Sequence, residues 1–492
     1  MPDPARGHGR ALAVICAATL MTIVDETVAT VAVPSIQRDL GFDPAALTWV
    51  VNAYLVGFGG FLLLAGRLGD LVGRGRMLLA GMALFTAASL ACGLAPGPTW
   101  LVVARFVQGV GGALATAVAL GMIAALYPDD AGRGRAMGTY AFMGAVGAST
   151  GLVLGGLVTA ALGWRWAFFV NVPIGLVVVV AGLRVLPRET PPGIDRSVDW
   201  PGAVLLVAGL MALVGAIVTG AWPVGVAAGV LLVGFVVRQA RAADPILPLG
   251  ALRSRVLVGS NLAHACFVGA MFTFQFLVTL HLQQVLGFSA AQAGLGIVPV
   301  AAGIALVATL VAPRVSARVG QAATLVVGLV LVVAGLALLG RVSAQSGYWA
   351  GLFPSVVLFA VGGGLTLPAM MIVAMSGATP RTMGLTSGLL NTSQQVGGAV
   401  GLAALSAVAA ATTAGALGEG APPATALVAG YALAWTLAAG LAGVALLVVV
   451  VVLLVPGVRT RPIPDPAERA EGRPEQAEER AEQAEERPCP AH

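Results

Sequence analysis

The chain has 492 residues, 58% of them hydrophobic and only 10% charged, less than half the charged share of an ordinary soluble domain. A water-soluble enzyme of that composition is excluded. All 27 basic residues are arginine, and residues 1–464 hold 23 of them with 13 acids, whereas the segment from Asp465 holds 4 with 9 acids. The basic surplus therefore belongs to loops between apolar runs and implies no nucleic acid.

The 66 glycines against 16 Phe, 8 Trp and 5 Tyr point to closely approaching helices, because small residues let backbones pack where lipid supplies no hydrophobic drive. The class read from composition is an all-α polytopic membrane protein embedded in a lipid bilayer. Cys16, Cys92 and Cys266 sit alone in apolar runs and Cys489 near the end, so neither a disulfide framework nor a metal site is expected. Arg6 and Arg10 before the run from Ala11 have the charge pattern of a signal peptide. That run, however, passes Asp25 and Glu26 to Val33, longer than a signal core, and is read as a retained first span.

About 20 apolar residues cross the hydrocarbon. Such runs lie near 11–33, 47–65, 77–95, 100–126, 136–162, 167–186, 200–219, 222–237, 256–281, 290–312, 322–340, 348–373, 384–409 and 430–455. The eighth is the shortest, set off from the seventh only by Gly220, Ala221 and the Trp222-Pro223 turn. With a cytoplasmic N-terminus, seventeen arginines before Arg459 fall in cytoplasmic segments and only Arg38, Arg165 and Arg341 outside, as the positive-inside rule requires. Dropping one span would invert every later loop, so fourteen spans with both ends cytoplasmic is the consistent solution.

Two charged, proline-bearing interruptions, Arg184 to Asp199 and Arg238 to Arg255, divide the spans six, two and six. The expected organisation is a cytoplasmic N-terminus at 1–10, a six-helix bundle at 11–186, a linker with two extra helices at 187–255, a second six-helix bundle at 256–455, and a charged cytoplasmic tail at 456–492. A faint echo between Leu68-x4-Gly73-Arg74 and Val315-x4-Gly320-Gln321 fits duplicated halves, a common transporter plan.

The loop after span two runs from Gly66 through Asp70 and Gly73 to Arg74 and Arg76. Its glycines allow a tight turn, and Asp70 with Arg74 and Arg76 offers a charge clasp able to form and break. An ordinary positive-inside loop would explain the arginines but not the intervening acid. Span four carries Arg105, Gln108, Gly109 and Gly112 on one helical face. A charge there costs several kcal/mol unless paired or hydrated, although Arg105 lies only ~8 Å from the outer end at 1.5 Å rise, within snorkelling reach.

Span one holds Asp25 and Glu26, ~12 Å deep and about 100° apart around the helix. One can face a cavity while the other meets a neighbouring helix. Burial and a nearby cation pull a carboxyl's proton affinity in opposite directions, so a carboxyl beside a mobile cation can load and release a proton. The rival reading is a purely structural pair. Span five has Gly147, Gly151 and Gly155 at four-residue spacing, which by itself signals close helix contact. Asn52, Gln108, Gln275, Asn391 and Gln395 are polar groups in lipid-length helices. Each is either interhelical glue or a substrate contact.

Together these motifs resemble the major facilitator superfamily, and within it the fourteen-span drug/proton antiporters of the EmrB/QacA type. The loop Gly66 to Arg76 is similar to the superfamily's cytoplasmic motif and Arg105-x-x-Gln108-Gly109 to its span-four motif. Val24-Asp25-Glu26-Thr27 through Val33-Pro34 resembles the subfamily's span-one motif. Further matches are Trp164-Arg165-Trp166, Phe168 to Pro173, Leu286 to Ser289 and Gly388 to Gly398. The span-five motif departs from the pattern, with Gly151-Leu152 where Gly-Pro is the rule, and Glu26 is a carboxylate the pattern does not demand.

The resemblance implies a major facilitator fold, two six-helix bundles plus two central helices, in the plasma membrane. It implies efflux of an amphipathic or cationic drug against protons, with Asp25, Glu26 and Arg105 in coupling. Gly66, Asp70, Gly73, Arg74 and Arg76, with Gly147, Gly151 and Gly155, would serve the conformational switch. A monomer without cofactor is expected. Export of a native metabolite or lipid is the alternative within transport, and a non-transporting membrane sensor is the alternative outside it. An enzyme is disfavoured, since no nucleotide loop or His-Glu-x-x-His occurs.

Overall fold

The computed structural model describes residues 4–43, 46–186, 199–242, 245–247, 249–376 and 383–454. The prolines of the first interruption at 187–198, Arg381 and the tail from residue 455 lie outside the described residues. Among those residues, fourteen helices are long and apolar enough to cross a membrane. They are α1 (Gly7–Leu40), α2 (Ala46–Val72), α3 (Arg74–Gly93), α4 (Pro98–Leu126), α5 (Gly132–Leu162), α6 (Arg165–Val185) and α7 (Trp200–Thr219), then α8 (Trp222–Arg241), α9 (Arg255–Val285), α10 (Ala290–Val319), α11 (Gln321–Leu339), α12 (Tyr348–Met375), α13 (Thr386–Gly418) and α14 (Pro423–Val452).

The short eighth run becomes a full helix of 20 residues. Gly220 turns the chain at φ 67°, a conformation glycine adopts without strain. Pro223 then falls in the first turn of α8, where its missing N–H costs nothing. Several helices outrun their apolar stretches: α1 continues through Pro34 to Leu40 and α13 to Gly418. A helix satisfies its own backbone bonds wherever it lies, so an apolar run marks the hydrocarbon zone and not the helix end.

The helices sort into two groups by contact. In the first, α3 and α2 pack on α4, α1 packs on α5, and α6 lies against α3 and α1. In the second, α9 packs on α13 and α14, α11 on α12 and α14, and α10 on α12. The two main seams between the groups are α5 against α10 and α2 against α13. At the first, a Cβ on Gly294 would stand 2.5 Å from the Leu152 carbonyl oxygen and one on Gly156 2.6 Å from that of Ala290; backbone touches backbone there. At the second, a Cβ on Gly59 would stand 2.7 Å from Cβ of Gln395. The α7–α8 hairpin lies across the second seam, touching both α2 and α13 through α7. Trp222, Val226, Val230 and Val233 of α8 are exposed, as a lipid-facing helix requires.

Candidate functional site: a buried charge network in the first bundle

Close packing of α4 on α2 sets the site. Any side chain on Gly109 would collide with the Tyr54 carbonyl, so the glycine lets the two backbones meet. One turn earlier, Arg105 then reaches across with its Nε donating to the Val50 carbonyl at 2.9 Å. Its guanidinium carbon lies 4.5 Å from the Tyr54 ring centroid, a distance at which a cation is attracted to the ring face.

From α1, Asp25 meets it. Arg105 Nη1 stands 2.6 Å from Asp25 Oδ2, and both side chains are fully enclosed. The other carboxylate oxygen accepts from Gln108 Nε2 at 2.8 Å and from Asn171 Nδ2 of α6 at 2.7 Å. Ser89 of α3 accepts from both amides at 3.1 Å and donates to the Phe168 carbonyl at 3.0 Å. Gln108 Oε1 accepts from Arg105 Nη1 at 2.7 Å. Five helices thus converge on one ion pair. The enclosure of Arg105 corrects the snorkelling alternative: Asp25, Gln108 and the Val50 carbonyl hold its guanidinium inward.

Glu26, one residue on, is half-buried. Among the described residues no hydrogen bond or ion pair is made to its carboxylate, and only its backbone carbonyl is engaged, by Thr30 Oγ1 at 3.0 Å. Two adjacent acids therefore stand in unlike settings, one saturated with donors and one bare.

The three glycines of α5 all face α1. A Cβ on Gly147 would stand 3.1 Å from Leu20 Cδ1, one on Gly155 2.8 Å from Val28 Cα, and one on Gly151 would collide with Thr27 Oγ1. The stripe presses α5 against the turn that carries Asp25 and Glu26. Leu152, in place of the expected proline, is buried and lends its carbonyl to the seam with α10.

At the α2–α3 loop, Gly73 sits at φ 102° and joins the two helices without an intervening segment. Arg74 Nη2 pairs with Asp70 at 2.9 Å, and Arg74 Nη1 donates to the Gly121 carbonyl of α4 at 3.1 Å. Arg76 is exposed and makes no ion pair among the described residues, so the clasp uses one arginine, not two. Gly66 faces open space. The close approach belongs instead to Gly69, where a side chain would collide with Val118.

The remaining polar candidates make no hydrogen bond to this network among the described residues. Asn52 of α2 is fully buried with neither side-chain polar atom hydrogen-bonded. Gln395 of α13 is buried with Oε1 likewise unpartnered and sits on the seam against Gly59. Asn391 donates to the Ser387 carbonyl at 3.1 Å, and Gln275 is half-buried on α9. Ser89, Asn171 and Tyr54 were not singled out as site residues from sequence, although Asn171 falls within the matched run Phe168 to Pro173. The signal for the first two was available, since each is a lone polar group in an apolar run. The carbonyl of Val50 carried none.

The family model described as Major Facilitator Superfamily matches residues 15–402. A puromycin resistance protein of Streptomyces alboniger is 38% identical over 453 residues, covering 89% of this chain and 90% of that one. A cephamycin export protein of Amycolatopsis lactamdurans is 39% identical over 421 residues, covering 83% and 86%. Among solved structures, a bacterial homologue of the human lysosomal transporter Spinster, in an inward-facing conformation, superposes with a TM-score of 0.65 at 16% identity over 90% of this chain and 96% of that one. The chain, with fourteen membrane-length helices among its described residues and a buried Asp25–Arg105 pair, is a member of the Major Facilitator Superfamily.

Proposed function

We propose that the protein is a proton-coupled antibiotic and drug exporter of the plasma membrane, working by alternating access between the bundles α1–α6 and α9–α14, with both termini cytoplasmic. The relatives named for resistance and export support this reading, and so does the arginine placement along the chain. The observation that carries it is the enclosed Asp25–Arg105 pair beside the bare Glu26. A charge pair sunk in a bilayer is costly and marks function by default.

In this reading Asp25, Glu26 and Arg105 couple the proton to transport. Protonation of a carboxylate here removes a negative charge that an amphipathic cation would otherwise neutralise, so cargo and proton compete, and competition across two alternating faces gives exchange. Gln108, Asn52, Gln275, Asn391 and Gln395 offer the cargo a few polar contacts in an otherwise apolar interior, which suits broad ligands. Asp70, Gly73 and Arg74, with Gly147, Gly151 and Gly155, serve the bundle movement. The molecule acts as a monomer.

The test is transport in inside-out vesicles with an imposed pH gradient, comparing the wild type with Asp25→Asn, Glu26→Gln and Arg105→Ala. Loss of gradient-driven accumulation in these variants is expected. Undiminished accumulation in all three would remove the mechanism. A susceptibility panel in an efflux-deficient host, with and without a protonophore, identifies the cargo.

A further inference from the structure

The two helices outside the six-plus-six plan end in a chain of contacts that the transport mechanism above does not use. Asp199, buried at the start of α7, caps that helix by accepting from the Gly202 N–H at 3.0 Å. It also accepts from two side chains at the end of α8, Arg238 Nε at 3.0 Å and Gln239 Nε2 at 2.7 Å. Gln239 is itself buried, and room for its amide exists because residue 202 is glycine; a Cβ there would stand 2.5 Å from Gln239 Nε2. With its donor end fixed on Asp199, the Gln239 Oε1 accepts from the backbone N–H of Leu247 at 2.9 Å.

The segment so held reaches both bundles. Arg67 of α2 donates to the Pro245 carbonyl at 3.1 Å. Ile246 is buried in one cluster with Leu64 of α2 and Ala203 of α7. Leu247, with Leu63, packs against Leu257 of α9 and Leu389 of α13. Three consecutive residues therefore touch the first bundle, the α7–α8 hairpin and the second bundle. They do so toward the C-terminal end of α2, which also carries Asp70.

We infer that Pro245-Ile246-Leu247 is a clasp across the seam and that Gln239, oriented by Asp199, is its positioning residue. The clasp holds α2 and α13 together at this end until the bundles part. The role assigned to the α7–α8 hairpin is to anchor the clasp. The inference rests on the alternating-access reading, in that the seam it closes is one that reading requires to open.

The experiment measures spacing and not cargo movement. Nitroxide labels at Val72→Cys on α2 and Val319→Cys on α10, both exposed, are placed in full-length protein whose four native cysteines are replaced. Their distance distribution is read by pulsed electron resonance in liposomes. Gln239→Ala is expected to raise the ratio of parted to closed ends about fivefold, the weight of roughly one hydrogen bond. Asp199→Asn should shift it the same way, and it decides the matter if the first variant does not fold. Val230→Ala, on the lipid face of α8, should leave it unchanged. Distributions for the Gln239 and Asp199 variants that superpose on the wild type overturn the clasp. A shift in a protein that exports no drug would leave the clasp standing and sink the exporter.

Discussion

Asp25 Oδ2 lies 2.6 Å from Arg105 Nη1, with neither side chain reachable by solvent, and both Asp25 oxygens are occupied by donors from α4 and α6. The pair locks three helices to one point. Removing one member leaves the other charge enclosed and alone, whereas removing both leaves no orphan. Asp25→Asn and Arg105→Gln are each expected to destabilise the protein by about 3–5 kcal/mol, and the double variant by less than their sum. Thermal unfolding in detergent checks this, and additive losses would show that the two side chains do not act as a pair.

Glu26 gives the opposite expectation. Its carboxylate carries no bond that folding depends on, so Glu26→Gln should change stability by no more than about 0.5 kcal/mol while weakening the binding of cationic cargo relative to neutral cargo. The measurement is a pair of binding affinities, taken on purified protein without a gradient, for a cationic and a neutral compound of similar size. Equal losses for both would take Glu26 out of cargo recognition.

The glycines divide by what stands opposite them. Gly109→Ala and Gly151→Ala drive a methyl into the Tyr54 carbonyl and Thr27 Oγ1 respectively, and overpacking of this kind costs about 1–3 kcal/mol. Gly66→Ala meets open space and should behave as wild type, although residue 66 belongs to the same loop motif as Gly73. Gly73→Ala is expected to be harmful for a different reason, the φ of 102° that a side chain resists. Melting temperatures of the four purified variants separate these cases.

Asp199 has a pH signature. Burial alone would raise its carboxyl, but the Gly202 N–H, Arg238 and Gln239 outweigh it and hold the group below the ordinary carboxylate range. A carboxyl depressed in the folded state adds stability that is fully present above its unfolded pKa, about 4, and is lost as pH falls through the folded value. The wild type should therefore out-melt Asp199→Asn at neutral pH, with the gap closing below about pH 4. A gap that stays constant down to strong acid would contradict the assignment.

Sequence by itself determined the number of helices, because the length of an apolar run is set by the thickness of hydrocarbon, and α8 could be kept because arginine placement constrains parity. It also marked Asp25, Arg105 and Gln108, since polar groups in apolar runs stand out one at a time. Helix ends such as Leu40 and Gly418 were not legible, as the apolar runs stop before them. Only the tertiary structure decided which of two adjacent acids is saturated. That depends on Asn171 and Ser89, far along the chain, and on how closely Gly109 lets α4 approach α2. The separation of Gly66 from Gly69, the exposure of Arg76, and the meeting of Gln239 with Leu247 were decided the same way. Composition and periodicity report what a residue is and which face it shares; a partner's distance is fixed by the packing of helices that the chain joins only after many turns.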